Sequence, residues 1–159
     1  MKTKVEEYFE REHLPYKVLY MDQSTATVPL AAAALGVEPD RIAKSLTFRL
    51  KGRDIMILAC GTARIDNRKF KDAFGCKAKM MTPEEALALT GYAVGGVCPF
   101  DLPGNIAVYL DESLRRFETV FPAAGASNAC VEMAPGEIAG LTGAQWIDVA
   151  KAEEPEKQE

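Results

Sequence analysis

Lys44 stands in the stretch Arg41-Ile-Ala-Lys-Ser-Leu-Thr-Phe48, on the same alternate positions as Ile42, Leu46 and Phe48. Side chains along a strand alternate faces, so this lysine is expected to point with those apolar residues toward an interior or a pocket. An ammonium so placed needs a hydrogen-bonding partner or a ligand, unless its stem packs on the core while its head reaches water at a sheet edge. Both readings stand on these residues alone. Two glycine-bearing loops lie further along. Gly91-Tyr-Ala-Val-Gly-Gly-Val-Cys-Pro-Phe100 has paired glycines, Gly95 and Gly96, that let main chain approach a ligand closely, and a proline, Pro99, that fixes one φ. Phe121-Pro-Ala-Ala-Gly-Ala-Ser-Asn-Ala-Cys130 is a run of small residues with polar atoms at Ser127 and Asn128. Each loop alone reads as an ordinary turn. With the lysine, the amides of the first suit a carbonyl or phosphate oxygen, the chemistry of oxyanion stabilisation.

The elements that would position these groups alternate between helix and strand. Lys4 to Glu12 reads as a helix with Val5, Tyr8 and Phe9 on one face, followed by a strand from Tyr16 to Tyr20. An alanine-rich helix is expected from Pro29 to Leu35, stopped by Gly36; Ser24, Thr25 and Thr27 before it are either caps or the wall of a pocket. Ile42 to Leu50 and Asp54 to Ala59 read as strands of a hairpin around Lys51-Gly52-Arg53. Then come a helix from Asn67 to Phe74 capped by Ile65-Asp66-Asn67, a short strand from Lys77 to Met80, and a helix from Pro83 to Leu89 with Thr82 as N-cap. Beyond the glycine loop, strands are expected at Ile106 to Leu110, Phe117 to Phe121 and Ala129 to Met133. A short helix at Glu112 to Arg115, a last helix starting at Ala134, and an apolar segment from Trp146 to Val149 complete the order. Asp111 either orients Lys44 or caps the turn at Glu112. The mixture implies an α+β domain over residues 1–150 with a mixed, largely antiparallel sheet, and a disordered acidic tail over 151–159.

Composition narrows the chemistry. The chain has 159 residues, 48% of them hydrophobic, which suits one core and not two ordinary domains. No apolar run approaches a membrane span and the charged amino terminus lacks a signal-peptide apolar region, so a cytoplasmic protein is expected. The four cysteines, Cys60, Cys76, Cys98 and Cys130, are dispersed without a Cys-x-x-Cys pair, which argues for reduced thiols. There is one histidine, His13, expected in a surface turn, so neither a histidine-rich metal site nor a conventional triad is at hand. Cys98 reads as a small buried thiol in preference to a nucleophile. No metal and no cofactor is expected.

Ala32-Ala-Ala-Leu-Gly36, Ile42-Ala-Lys-Ser-Leu46, Thr90-Gly-Tyr92, Gly95-Gly-Val-Cys-Pro-Phe100, Val108-Tyr-Leu-Asp111 and Ala124-Gly125 occur in the order found in the YbaK and prolyl-tRNA-synthetase-associated domains, and from Val18 to Val149 the chain resembles that family. The resemblance implies a barrel-like sheet with surrounding helices and a trans-editing activity, hydrolysis of the ester of a mischarged tRNA carrying a small amino acid. It places Lys44, Gly95 and Gly96 at the ester, and Tyr20, Thr25, Thr27, Val97, Pro99, Phe100, Gly125, Ser127 and Asn128 around the substrate. The partner implied is the acceptor end of aminoacyl-tRNA, with an aminoacyl-tRNA synthetase as a second. Water or a group of the substrate would be the nucleophile. Cysteinyl-specific members carry a bulky aromatic near Thr27, a Gly-x-Arg-Gly stretch at Gly125 to Asn128 and an acid near Cys130. All three differ here, and Asn128 is closer to relatives specific for alanine or other small residues.

Net charge is −4, against a broad nucleic-acid-coating surface, yet Arg64, Arg68, Lys69, Lys71, Lys77 and Lys79 cluster in sequence. That run is either a solvated helix face or, given the resemblance, a contact for acceptor-stem phosphates, with Arg64, Arg68, Lys69 and Lys71 as the contact residues. Two rival functions remain at this level: a non-catalytic module binding tRNA or protein, and an unrelated hydrolase dependent on Cys98 or Cys130.

Overall fold

The computed structural model describes residues 2–151. In chain order the elements are α1 (Lys4–Arg11), β1 (Val18–Tyr20), α2 (Val28–Leu35), β2 (Ile42–Leu50), β3 (Arg53–Cys60), β4 (Arg64–Ile65), α3 (Asn67–Phe74), α4 (Pro83–Thr90), β5 (Ile106–Asp111), β6 (Phe121–Pro122), β7 (Ala129–Val131), α5 (Pro135–Thr142), β8 (Gln145–Ile147) and β9 (Ala150–Lys151). Helix ends follow local chemistry. Thr82 and Glu85 form a reciprocal capping box on α4, Asp66 accepts from the amides of Arg68 and Lys69 at the start of α3, and Gly36 closes α2 at a φ of +70°.

The β2–β3 hairpin is the centre of the molecule. It runs in register from Leu50↔Arg53 to Ala43↔Cys60, and Gly52 at a φ of +83° lets the turn close on Lys51 and Gly52 alone. The five-stranded sheet has the order β6-β2-β3-β5-β8, curled into a half-barrel; β6, β5 and β8 each join parallel. Antiparallel pairs β1–β7 and β4–β9 flank it. The sheet is mixed as expected, but three of its four pairings are parallel and one, β2–β3, is antiparallel, where a largely antiparallel sheet was expected. Met56, Leu58 and Leu110 pack on one face with Phe9 of α1 and Ile138 of α5, and Phe48, Ile55 and Ile57 pack on the other with Phe70 of α3. β3 is therefore buried on both faces, which explains its unbroken apolar run from Ile55 to Cys60.

Four other expectations change. The strand expected at Lys77 to Met80 reduces to one bridge, Phe48↔Met80, because the segment touches only the last residues of β2. Between Phe117 and Phe121 regular pairing begins at Phe121, with Val120 bridging Met133. Glu112–Arg116 is a 3₁₀ turn. Lys151, expected in the disordered tail, pairs with Arg64, and 152–159 lie outside the described residues.

Asp111 caps the turn, one of its two expected roles, and has a further task. Its carboxylate is buried and accepts from Ser113 N at 2.8 Å, Val149 N at 2.8 Å and Ala150 N at 3.0 Å, so one side chain joins β5 to the turn after it and to the last strand. Removing this acceptor would strand these amides without a partner in the interior. Asp111→Ala is expected to lower unfolding free energy by about 3 kcal/mol in urea denaturation, and a loss below about 1 kcal/mol would show that the carboxylate is no staple.

Candidate active site

On the edge turned away from β3, β2 is covered at both ends and open between them. β6 pairs only with Ile42 and Ala43, and the next main-chain bonds on that edge run from Met81 N to Thr47 O and from Arg49 N to Lys79 O, each 3.0 Å. A cavity of about 340 Å³ lies at the gap, a size that suits a small-molecule moiety. Lys44, Ser45, Leu46 and Thr47 form its floor. The walls come from Thr25 to Val28 at the start of α2, from Met80 to Pro83 ahead of α4, from Val94, Gly95 and Val97 of the glycine loop, and from Phe121, Ala123 and Cys130.

Of the residues expected at a site, the fold brings together Lys44, Thr25, Thr27, Gly95 and Val97. Lys44 is part-buried, and its ammonium donates to the Ala63 carbonyl just beyond β3, the loop-carbonyl partner that a buried-side lysine calls for. Thr27 both caps α2, accepting from Leu30 N at 3.3 Å, and lines the cavity; Thr25 Oγ1 donates to Ser127 O at 3.1 Å.

The glycines do something other than leave room for a ligand. A Cβ on Gly95, whose φ is +86°, would stand 2.9 Å from Ala26 Cα and 3.0 Å from Ser127 Cβ; one on Gly96 would stand 2.7 Å from Gly125 C and Ala126 N. The close approach is of loop to loop. The Gly96 amide donates to Ala93 O at 2.9 Å and its carbonyl accepts from Gly125 N at 3.2 Å, so Gly96 joins the two loops and lies behind the cavity wall. Pro99 and Phe100 are buried behind it as well, with Phe100 edge-on to Phe9 at 5.4 Å.

Tyr20 and Asn128 stand apart. With Lys2, Thr3, Glu6 and Ala126 they line a second hollow, where the Tyr20 hydroxyl donates to Glu6 and accepts from Thr3 N at 3.1 Å. Asn128 Nδ2 donates to Met21 O at 3.3 Å, and the Ser127 side chain is exposed while its carbonyl holds Thr25. The sequence did not single out Ser45, beside Lys44 on β2, or Met80, Val94 and Phe121, which reach the cavity through tertiary packing, and it offered Cys130 only as the thiol of a rival hydrolase.

Among the described residues, the cavity wall holds no carboxylate and no imidazole, and Lys44 is its one cation. Burial pushes the Cys130 thiol up, and the Cys98 thiol, fully buried beneath the glycine loop, is pushed up to about 12. Both shifts disfavour the thiolate, which gives a thiol nucleophile no support here. His13 is exposed at the turn after α1. Among the described residues, no group of His, Cys, Asp and Glu is placed to hold a metal ion, and no helix is long and apolar enough to cross a membrane.

The basic run lies outside the cavity. Arg64, Arg68 and Lys71 are exposed, whereas Lys69 is paired with Asp148 at 3.0 Å and donates to Ala150 O at 3.1 Å.

Residues 22–141 match the model of the aminoacyl-tRNA editing domain. The chain is 46% identical over 149 residues to the uncharacterized protein YwhH of Bacillus subtilis, covering 92% of this chain and 95% of that one. It is 28% identical over 156 residues to EbsC of Enterococcus faecalis, named as a proposed Cys-tRNA(Pro)/Cys-tRNA(Cys) deacylase, covering 96% and 95%. A crystal structure described as a proposed trans-editing enzyme for prolyl tRNA synthetase superposes with a TM-score of 0.84 at 35% identity, covering 93% of this chain and 95% of that one. The open edge of β2, the lysine on it and the glycine loop across from it thus sit in a chain that belongs to the aminoacyl-tRNA editing domain family.

Proposed function

We propose that this protein is a trans-editing deacylase that hydrolyses the ester joining a small amino acid to the 3′ end of a mischarged tRNA. The observation that carries the reading is the cavity itself: small, mainly apolar, floored by Lys44 and closed by the glycine loop, within a chain of the editing-domain family. An aminoacyl ester is already activated, so water can add to its carbonyl once the ester is held and the developing oxyanion is stabilised. The tetrahedral intermediate then expels the ribose oxygen, which takes a proton, and the free amino acid leaves. No protein nucleophile is needed, in keeping with a wall whose only thiol is kept protonated.

Within this reading Lys44 supplies positive charge beside the ester, anchored through Ala63 O. Because the Gly96 amide is committed to Ala93, Gly95 and Val97 are the loop residues left to offer amides to the oxyanion. Gly96 acts by holding the loop in place. A pocket of fixed size excludes large side chains and separates small ones poorly, so alanine, serine, cysteine and threonine are the acyl groups to test. The reading requires the cytoplasm, where aminoacyl-tRNA is made, and a tRNA acceptor end as partner; a synthetase is a further candidate partner.

Lys44→Ala is expected to lower kcat/KM for deacylation about 100-fold with an unchanged circular dichroism spectrum; near wild-type hydrolysis by a folded variant would remove the lysine from the mechanism. On the surface, Arg68→Glu with Lys71→Glu should raise KM for aminoacyl-tRNA with little effect on kcat, and should make the log–log salt dependence of binding shallower by about 1 to 2. Lys69 is left in place because it pairs with Asp148. Equal salt slopes and an unchanged KM would show that α3 does not face the tRNA.

A further inference from the structure

Two irregularities of β2 meet at Ser45. Main-chain N–H and C=O groups alternate edges along an antiparallel strand, and the outward bonds of Thr47 O and Arg49 N set the parity. Ser45 therefore turns its own N–H and C=O toward the open edge, between the end of β6 at Ala43 and the contact at Thr47. The second irregularity is the side chain: among the described residues, Ser45 Oγ is the one buried side-chain oxygen or nitrogen with no hydrogen-bond partner. A buried hydroxyl left unpaired is unfavourable, and in a cavity-lining residue it calls for a partner from outside the fold. A serine χ1 has three staggered positions, and a ligand would meet the oxygen only from one that presents it to the cavity.

Among the cavity's other polar side chains, Thr25 is engaged with Ser127, Thr27 with Leu30, Thr82 with Glu85 and Lys44 with Ala63, while Thr47 stands two residues along the same strand. We infer that Ser45 is the specificity-determining residue of this cavity, its main chain on the open edge receiving the part common to all aminoacyl esters and its hydroxyl reading the side chain. The preferred acyl group is then one with a β-hydroxyl, serine before alanine. The wall's lack of a carboxylate fits a neutral polar side chain better than a cationic one. This inference rests on the deacylase reading above and adds the substrate class.

The test is steady-state deacylation of seryl- and alanyl-tRNA, both on the same tRNA, by wild type and by Ser45→Ala. Wild type is expected to favour seryl-tRNA by about tenfold or more in kcat/KM, and Ser45→Ala to lower the seryl-to-alanyl ratio about tenfold. Thermal unfolding separates this from a structural role: because the hydroxyl has no partner in the fold, the variant should melt no lower than wild type. Ser45→Cys, with a weaker donor of similar shape, should give an intermediate ratio and serves if the alanine variant does not fold. A wild type that hydrolyses alanyl-tRNA without preferring seryl-tRNA overturns the inference alone, as does a Ser45→Ala ratio equal to that of wild type or a marked fall in melting temperature. If wild type leaves seryl-, alanyl-, cysteinyl- and threonyl-tRNA all intact, the deacylase reading falls and this inference falls with it.

Discussion

β2 is hydrogen-bonded along its whole length on one edge and only at its ends on the other, and the candidate site depends on that asymmetry. The continuous edge, from Ala43↔Cys60 to Leu50↔Arg53, gives the strand rigidity from a partner buried on both faces. On the other edge, β6 covers Ile42 and Ala43, and the segment before α4 covers Thr47 to Arg49. Full pairing would leave no place for a ligand, and an edge wholly free would invite another strand. Two short caps leave a gap too small for a strand and flanked by α2, α4 and the glycine loop. Those flanks keep the gap concave and mostly apolar, which strengthens polar contacts made against its walls.

The small residues around the gap follow from the same constraint. To close the cavity, the glycine loop must lie against both the start of α2 and the loop from Gly125 to Ser127. Contacts of 2.7–3.0 Å to a hypothetical Cβ at Gly95 and Gly96 leave no space for any side chain there. The Gly125 amide on the Gly96 carbonyl and the Thr25 amide on the Ser127 carbonyl then tie three segments from distant parts of the chain into one wall. Each tie uses main-chain groups, which positions the wall without placing charged side chains in it. The cost is Cys98 sealed beneath the loop, where burial makes its thiol inert.

Much of this was legible where the physics is local. Thr82 with Glu85, Asp66, Gly36 and the Lys51-Gly52 turn each act through hydrogen bonds or φ angles within a few residues, and each stands where capping and turn chemistry put it. The alternation of Ile42, Lys44, Leu46 and Phe48 likewise set the lysine's side of the strand before any partner was known. β4 and β9 escaped because their pairing is two residues long and joins positions far apart in sequence, which leaves no periodicity to read. Gly96 was read correctly as a place of close approach, but sequence does not say what approaches, and main chain took the space assigned to a ligand. Tyr20 was drawn away by Glu6 and Thr3 of α1 and its cap, whose packing against β1 depends on the whole core.

Charge placement distinguishes this site from a general nucleic-acid surface. The chain is acidic overall, and its exposed basic groups on α3 are separate from the single cation in the cavity. Diffuse surface charge acts on phosphates at a distance and is screened by salt, whereas an ammonium fixed on a carbonyl in a partly buried wall acts over a few ångströms and is screened much less. Lys69 shows how the fold separates the two: its pairing with Asp148 and with the Ala150 carbonyl spends it on holding the last strand, while Arg68 and Lys71 on the same helix stay in water. Under the proposed function, attraction of a polyanion and stabilisation of a small oxyanion would fall to different elements, so that the strength of one could vary without disturbing the geometry of the other.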